Sequence, residues 1–311
     1  MWCSFLIDFP KMLYSIPSEL RVIDVDFDGL ADRIFVGDMG GQVWRFDFDT
    51  SAAGGSSLDA RVTGGVIARL AGDGPGEARR FYHPPHVALI SVEGRQQLSI
   101  SIGSGWRAHP LDTGVQERFY SLRSSYVYGP PVDAFGDVAY PSISDDSAPS
   151  GATTGFADVT GTVAPAAEDV ARGWWIDLGR DGGALARPGE KVLAPSMTVD
   201  NRVVFTTYMP EADVGACAAA VGSSAVYAVN VLNGAPALAP MDEVAPNVAD
   251  RRWELNQPGL APPVSVIFPE NGRPTPLVGA EPLEGIEVPD RRRTFWQEML
   301  EEDVTVEAGE D

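Results

Sequence analysis

The residues whose types and spacing could do chemistry stand together at Asp24-Val-Asp26-Phe-Asp28-Gly29-Leu30-Ala-Asp32. Calcium is a hard cation that gathers six to eight oxygens, and a D-x-D-x-D-G loop puts carboxylates at its first, third and fifth positions. Gly29 supplies the sharp turn, and the backbone carbonyl of Leu30 is the next ligand along. Asp32 closes the loop where an EF-hand would continue to a glutamate, and Arg33-Ile-Phe-Val-Gly37 then reads as a strand instead of a helix. The expectation is a compact calcium loop, with Asp24, Asp26, Asp28, Leu30 and Asp32 as ligands, that enters a β-hairpin. The competing reading is an acidic turn whose Asp side chains bond their own backbone. Four carboxylates so close repel one another unless a cation lies between them. Calcium is favoured over magnesium because the ligands are many and come from a flexible loop.

The other reactive residue types form no comparable pattern. His83, His86 and His109 make no H-E-x-x-H or i, i+4 pair, so they read as loop histidines and not as a zinc site. Gly103-Ser104-Gly105 lacks the spacing of a nucleophile elbow, and Ser104 reads as turn chemistry. Trp174, Trp175 and Trp253 are expected in packing between structural units. Cys3 and Cys217 are the only cysteines, too far apart in sequence for a disulfide framework or a cysteine zinc site. No catalytic residue or organic cofactor site is assigned, and the expectation is a protein that is not an enzyme.

Elements that could position the acidic loop follow from punctuation and alternation. Gly (33) and Pro (25) are abundant among 311 residues, and apolar residues come in short β-branched and aromatic bursts, which is the pattern of an all-β fold. Candidate strands are 33–37, 42–48, 87–92, 98–103, 202–208, 224–230 and 264–268. In the second, Trp44, Phe46 and Phe48 share one face and Val43, Arg45 and Asp47 the other, as in a half-buried strand. Asp38-Met-Gly-Gly41 supplies a turn, so 33–48 is predicted to be an antiparallel hairpin. Gln42-Val-Trp-Arg-Phe-Asp47 and Ala225-Val-Tyr-Ala-Val-Asn230 look like two copies of one strand, the form that recurs in propeller blades. The expected layout is a poorly defined start at 1–15 and a propeller over 16–300. An insertion is expected at about 142–167, and 301–311 form an acidic tail. Between Pro289 and Leu300 a helix and a terminal strand are both open.

The hydrophobic content of 44% can fill a core for one large all-β domain or two ordinary ones. A net charge of -21, from 44 acidic and 23 basic residues, argues against nucleic acid and anionic membrane surfaces. No stretch is long and apolar enough for membrane insertion. The start, Met1 to Asp8, makes a poor secretion signal, so an export signal is expected on sequence preceding this chain.

The chain resembles the PilY/PilC-type type IV pilus tip and biogenesis proteins. The likeness begins at Ile16-Pro-Ser-Glu-Leu and runs through the acidic loop to Asp47. It continues in Arg79-Arg-Phe-Tyr-His-Pro-Pro, Gly103-Ser-Gly-Trp-Arg-Ala-His-Pro-Leu-Asp112 and Gln116-Glu-Arg-Phe-Tyr120. Gly173-Trp-Trp-Ile-Asp-Leu178, Val203-Val-Phe-Thr-Thr-Tyr208 and Arg293-Thr-Phe-Trp296 complete it. The resemblance implies a modified, quinoprotein-like β-propeller with long loop insertions, incomplete or open in a chain of this length. It implies export to the pilus tip or cell surface and partnership with minor pilins and the assembly machinery. Attachment to a host or abiotic surface is implied too, as is a calcium ion that regulates the balance of extension and retraction. The implied ligands are again Asp24, Asp26, Asp28, Asp32 and the Leu30 carbonyl. Such proteins carry a long variable N-terminal region that has no counterpart in this sequence. Two rivals remain: a scaffold propeller of the FG-GAP type, which would need several acidic loops where this sequence has one, and a quinone-dependent dehydrogenase, for which no coherent catalytic set is found.

Overall fold

The computed structural model describes residues 9–49, 61–144, 155–181, 183–211, 221–237, 247–269, 274–283 and 286. Residues 1–8, the centre of the 142–167 insertion, Cys3, Cys217, the 289–300 segment and the acidic tail lie outside them.

The fold is all-β. Strands β1 (Arg21–Ile23), β2 (Arg33–Gly37), β3 (Gln42–Phe48) and β4 (Val62–Arg69) form an antiparallel meander. β5 (His86–Val92), β6 (Arg95–Gly103) and β7 (Arg118–Ser124) begin a second sheet. The chain then returns to the first sheet, where β8 (Ile143–Ser144) runs parallel to β4. β9 (Phe156–Asp158) and β10 (Gly173–Asp177) complete the second sheet in the order β5-β6-β7-β10-β9. The 142–167 stretch thus supplies two short strands, and buried Ile143 and Phe156 anchor them. β11 (Arg180–Asp181) and β12 (Ala184–Leu185) make a small ribbon. A third sheet holds β13 (Lys191–Val192), β14 (Met197–Val199), β15 (Arg202–Met209), β16 (Ser223–Asn230) and β17 (Arg252–Glu254). β18 (Val264–Ile267), β19 (Thr275–Val278) and β20 (Glu281–Pro282) form the fourth.

The four sheets stack face to face in chain order. Phe35, Val43 and Ala68 of the first meet Leu98, Ile100 and Tyr120 of the second. Phe119, Trp174 and Ile176 on the other face of the second meet Val203, Phe205 and Tyr227 of the third. Val204, Val226 and Ala228 then meet Val264, Val278 and Leu283 of the fourth. Neighbouring residues of one strand point to opposite faces, so an inner sheet must be apolar on both. That is why β15 and β16 read as nearly continuous apolar runs. Gly103 and Gly105 let the second and third sheets approach, since a Cβ at either would collide with Val192. Ser104 between them is buried, with its hydroxyl on the Arg118 backbone and its carbonyl accepting the Val192 N–H at 3.0 Å. It is a joint between sheets more than a turn. Sequential face-to-face stacking of small antiparallel sheets is the arrangement of propeller blades. Among the described residues, the outer face of the first sheet packs on Phe9 and Ile16, and no core cluster joins it to the fourth.

The hairpin 33–48 forms as expected, in register from Arg33↔Asp47 to Gly37↔Val43. Asp38 holds its turn: one carboxylate oxygen accepts the Gly40 and Gln42 N–H groups, each at 2.9 Å, and the other accepts Trp44 Nε1 at 2.9 Å. One detail differs from the half-buried reading of β3. Val43, Arg45 and Asp47 are as buried as Trp44, because the second sheet covers that face too. The two strands that looked like repeats, β3 and β16, occupy the same place in their sheets, each between its hairpin partner and the next antiparallel strand.

Candidate metal centre

The acidic loop is the connection from β1 to β2. Asp32 N–H donates to Ile23 O at 2.9 Å and closes its neck. Within it, Asp24 accepts from Phe27 N at 2.6 Å through one oxygen and from Gly29 N at 2.9 Å through the other. Asp26 accepts from Asp28 N at 3.2 Å, and Asp28 from Leu30 N at 2.7 Å. These bonds require the chain to turn left-handed at Phe27 (φ 64°) and Gly29 (φ 88°). The glycine adopts that conformation freely, and the phenylalanine does so at a cost.

The turn brings carboxylate oxygens of Asp24, Asp26 and Asp28 within 4.8 Å of one another at the exposed tip of the hairpin. Two oxygens bound to one calcium ion at up to ~2.6 Å each can be at most ~5.2 Å apart. The three carboxylates are therefore close enough to share one calcium ion, and each also accepts hydrogen bonds from the loop's own backbone N–H groups. Asp32 stands at the base of the loop, where one oxygen accepts the Val25 N–H at 2.6 Å. It is not part of the three-carboxylate cluster. Leu30 follows the turn with its side chain half exposed.

Next to the base of the loop lies a buried charge network that sequence patterns do not single out. Arg33 Nε is 3.0 Å from Asp47 Oδ1, and Arg45 Nη2 is 2.7 Å from the same oxygen. Arg45 Nε donates to Asp47 Oδ2 at 2.8 Å, and so does the Tyr140 hydroxyl, also at 2.8 Å. Burial pulls the Arg33 guanidinium below its usual range and pushes the Tyr140 hydroxyl well above its own. The one sequence signal was the R-x-D spacing on a strand, which gives no hint of its partners.

The remaining candidates are structural. His86 bonds Thr198 Oγ1 at 3.1 Å, and burial pushes its pKa down to about 4, with Arg21 adding to the shift. Burial also lowers His83, with help from Arg107. His109 packs on Trp106 at 4.0 Å between ring centroids. The three histidines form no metal-binding group among the described residues. Trp174 and Trp175 pack between sheets as expected, in different clusters, and Trp253 lies at the edge of the third.

These features define an all-β, propeller-like stack of four sheets that presents an acidic, cation-sized loop at the head of its first sheet. Its fold is similar to that of the Pseudomonas aeruginosa PilY1 C-terminal domain, with a TM-score of 0.59, 17% sequence identity and 87% of this chain covered. The match spans 60% of that domain. No protein-family model matches the chain, and no curated protein matches it.

Proposed function

We propose that this chain is the calcium-binding, propeller-like part of a type IV pilus assembly and tip protein, acting in pilus biogenesis, in extension–retraction control and in surface adhesion, without catalysis of its own. The observation that carries the reading is the convergence of Asp24, Asp26 and Asp28 on a fold shared with the PilY1 domain. The partners in this reading are minor pilins, the assembly machinery and a host or abiotic surface, met outside the cell after export. No described helix is long and apolar enough to cross a membrane. Calcium would offset two of the loop's negative charges and fix the strands that flank it, so that the exposed end of the first sheet changes stiffness with the ion. Asp24, Asp26 and Asp28 would hold it, joined by Asp32 and the Leu30 carbonyl if the base of the loop closes on the ion. Deleting the gene in its own organism and restoring it with wild type or Asp28→Ala tests this reading. The deletion should reduce surface pili, wild type should restore them, and Asp28→Ala should not restore the wild-type number. Piliation unchanged by the deletion would contradict it.

A further inference from the structure

An open sheet edge pairs with any strand that reaches it, so proteins keep their edges short or guard them with charge, proline or a bulge. Among the described residues, every strand that ends a sheet is two to four residues long, with one exception. β5 ends the second sheet with seven residues, His86–Val92, and pairs with β6 alone in an unbroken register. It holds no Asp, Glu, Lys, Arg or Pro, and His86 is neutral at ordinary pH because burial pulls its pKa down to about 4. The loop Glu93-Gly94 that joins β5 to β6 is left-handed at both residues, with φ of 50° and 76°. In such a two-residue hairpin the flanking pair, Val92 and Arg95, exchanges both backbone bonds. Bonding to β6 then recurs at Ile90, Ala88 and His86, which leaves the N–H and C=O groups of Val87, Leu89 and Ser91 pointing away from the sheet. Among the described residues none of these groups has a backbone partner. Leu89 is 52% exposed and Ser91 is exposed beside it, so solvent reaches this edge.

We infer that β5 pairs antiparallel with β5 of a second copy of this chain, about a two-fold axis through Leu89. In that register Leu89 meets Leu89 of the second copy as an apolar cross-strand pair, and Val87 meets Ser91 in both directions. Every outward N–H and C=O of the two edges is then bonded. The same register carries the charge complementarity that selects a second copy over a strand of some other protein. Residue 93 of one copy falls opposite residue 85 of the other, and Arg21 Nε sits at that place, donating to Pro85 O at 3.1 Å. Glu93 is exposed and Arg21 half-buried, and among the described residues neither meets an opposite charge. Each copy thus brings a carboxylate to the other's guanidinium, twice by symmetry. The net charge of -21 opposes the approach at long range, and salt at ~0.15 M screens charges more than about 8 Å apart. One edge per copy is used, so association stops at two. No aspartate of the acidic loop takes part, so the inference goes beyond the function proposed above and does not rest on it.

The test is analytical ultracentrifugation of the full chain in chelator and ~0.15 M salt, from about 1 µM to about 1 mM protein. Wild type should pass from monomer to dimer and go no further. Leu89→Lys sets two ammonium groups opposite each other and should weaken the dimer roughly tenfold or more. Ser91→Pro removes an outward N–H without touching the bonds to β6, a placement that edge strands tolerate, and it should weaken the dimer as well. Both positions are exposed, so each variant should melt cooperatively, as wild type does. Glu93→Arg and Arg21→Glu should each weaken the dimer about threefold or more, and the two together should restore it. A monomer at every concentration, growth beyond the dimer, a dimer untouched by Leu89→Lys, or a charge-swapped pair no tighter than its single variants would each overturn the proposal.

Discussion

Arg33 and Asp47 form an ion pair of 3.0 Å at the first rung of the β2–β3 hairpin, with both side chains almost entirely out of water. Arg33 directly follows Asp32, so this pair joins the exposed acidic loop to the buried face of the first sheet. Arg45 and Tyr140 complete the shell around the carboxylate. A buried ion pair is not worth much net stability, since desolvation consumes most of the attraction, but removing one member strands the other.

Asp47→Ala should therefore destabilise the fold by about 3–5 kcal/mol, because two buried guanidinium groups lose their counter-charge. Urea denaturation of wild type and variant measures this. A loss under about 1 kcal/mol would mean that water reaches the arginines.

A second prediction concerns the seam between the second and third sheets. Phe119 and Phe205 stack with centroids 3.7 Å apart and planes 2° from parallel, and Phe205 stacks on Tyr227 at 5.0 Å. Phe205→Ala opens this column and should cost about 3–5 kcal/mol. The solvent-exposed Phe135→Ser should stay within about 0.5 kcal/mol of wild type. Equal denaturation midpoints for the two variants would show that the sheets do not pack through this column.

Much of this was readable in sequence. Every candidate strand is a strand, with ends shifted by three residues at most, because short β-branched and aromatic bursts between turn residues have few other solutions. The 33–48 hairpin announced itself through alternation and the Asp38 turn. The carboxylate cluster was legible because its aspartates lie within a few residues of one another. What was not legible depends on distant partners. Tyr140 reaches Asp47 across 93 positions, and nothing near Arg45 or Asp47 says that a second sheet will cover them. β8 and β9 escaped because two or three residues show no period. β4 was hidden by Gly64 and Gly65, which weaken a strand pattern and here make room for Phe46 and Tyr140.

Glu117 gives a pH prediction. It is 3% exposed, and burial pushes its carboxyl pKa up to about 7 despite the Ser104 hydroxyl, Lys191, Arg79 and Arg80 beside it. Folding therefore raises this pKa from an ordinary 4.5. Between those values the folded chain holds a proton that the unfolded chain has released. This contribution is full below the lower value, is lost as pH rises towards 7, and is flat above it. Glu117→Gln removes the titration, so the stability of wild type relative to the variant should fall across that window, by roughly 3 kcal/mol at most. Denaturant melts at steps between the two pKa values measure the difference. A difference that is flat or rises with pH would show that Glu117 is ionised throughout.

The central claim is that Asp24, Asp26 and Asp28 hold calcium, and thermal unfolding in calcium, in magnesium and in chelator tests it most directly. The metal binds the folded loop far better than the unfolded chain, so calcium at about 100 times its dissociation constant should stabilise the protein by roughly 2.7 kcal/mol. Magnesium should do markedly less, and Asp28→Ala should abolish the calcium response while its chelator melt stays cooperative. If wild type melts at one temperature in all three conditions, the loop is an acidic turn and the calcium assignment is wrong.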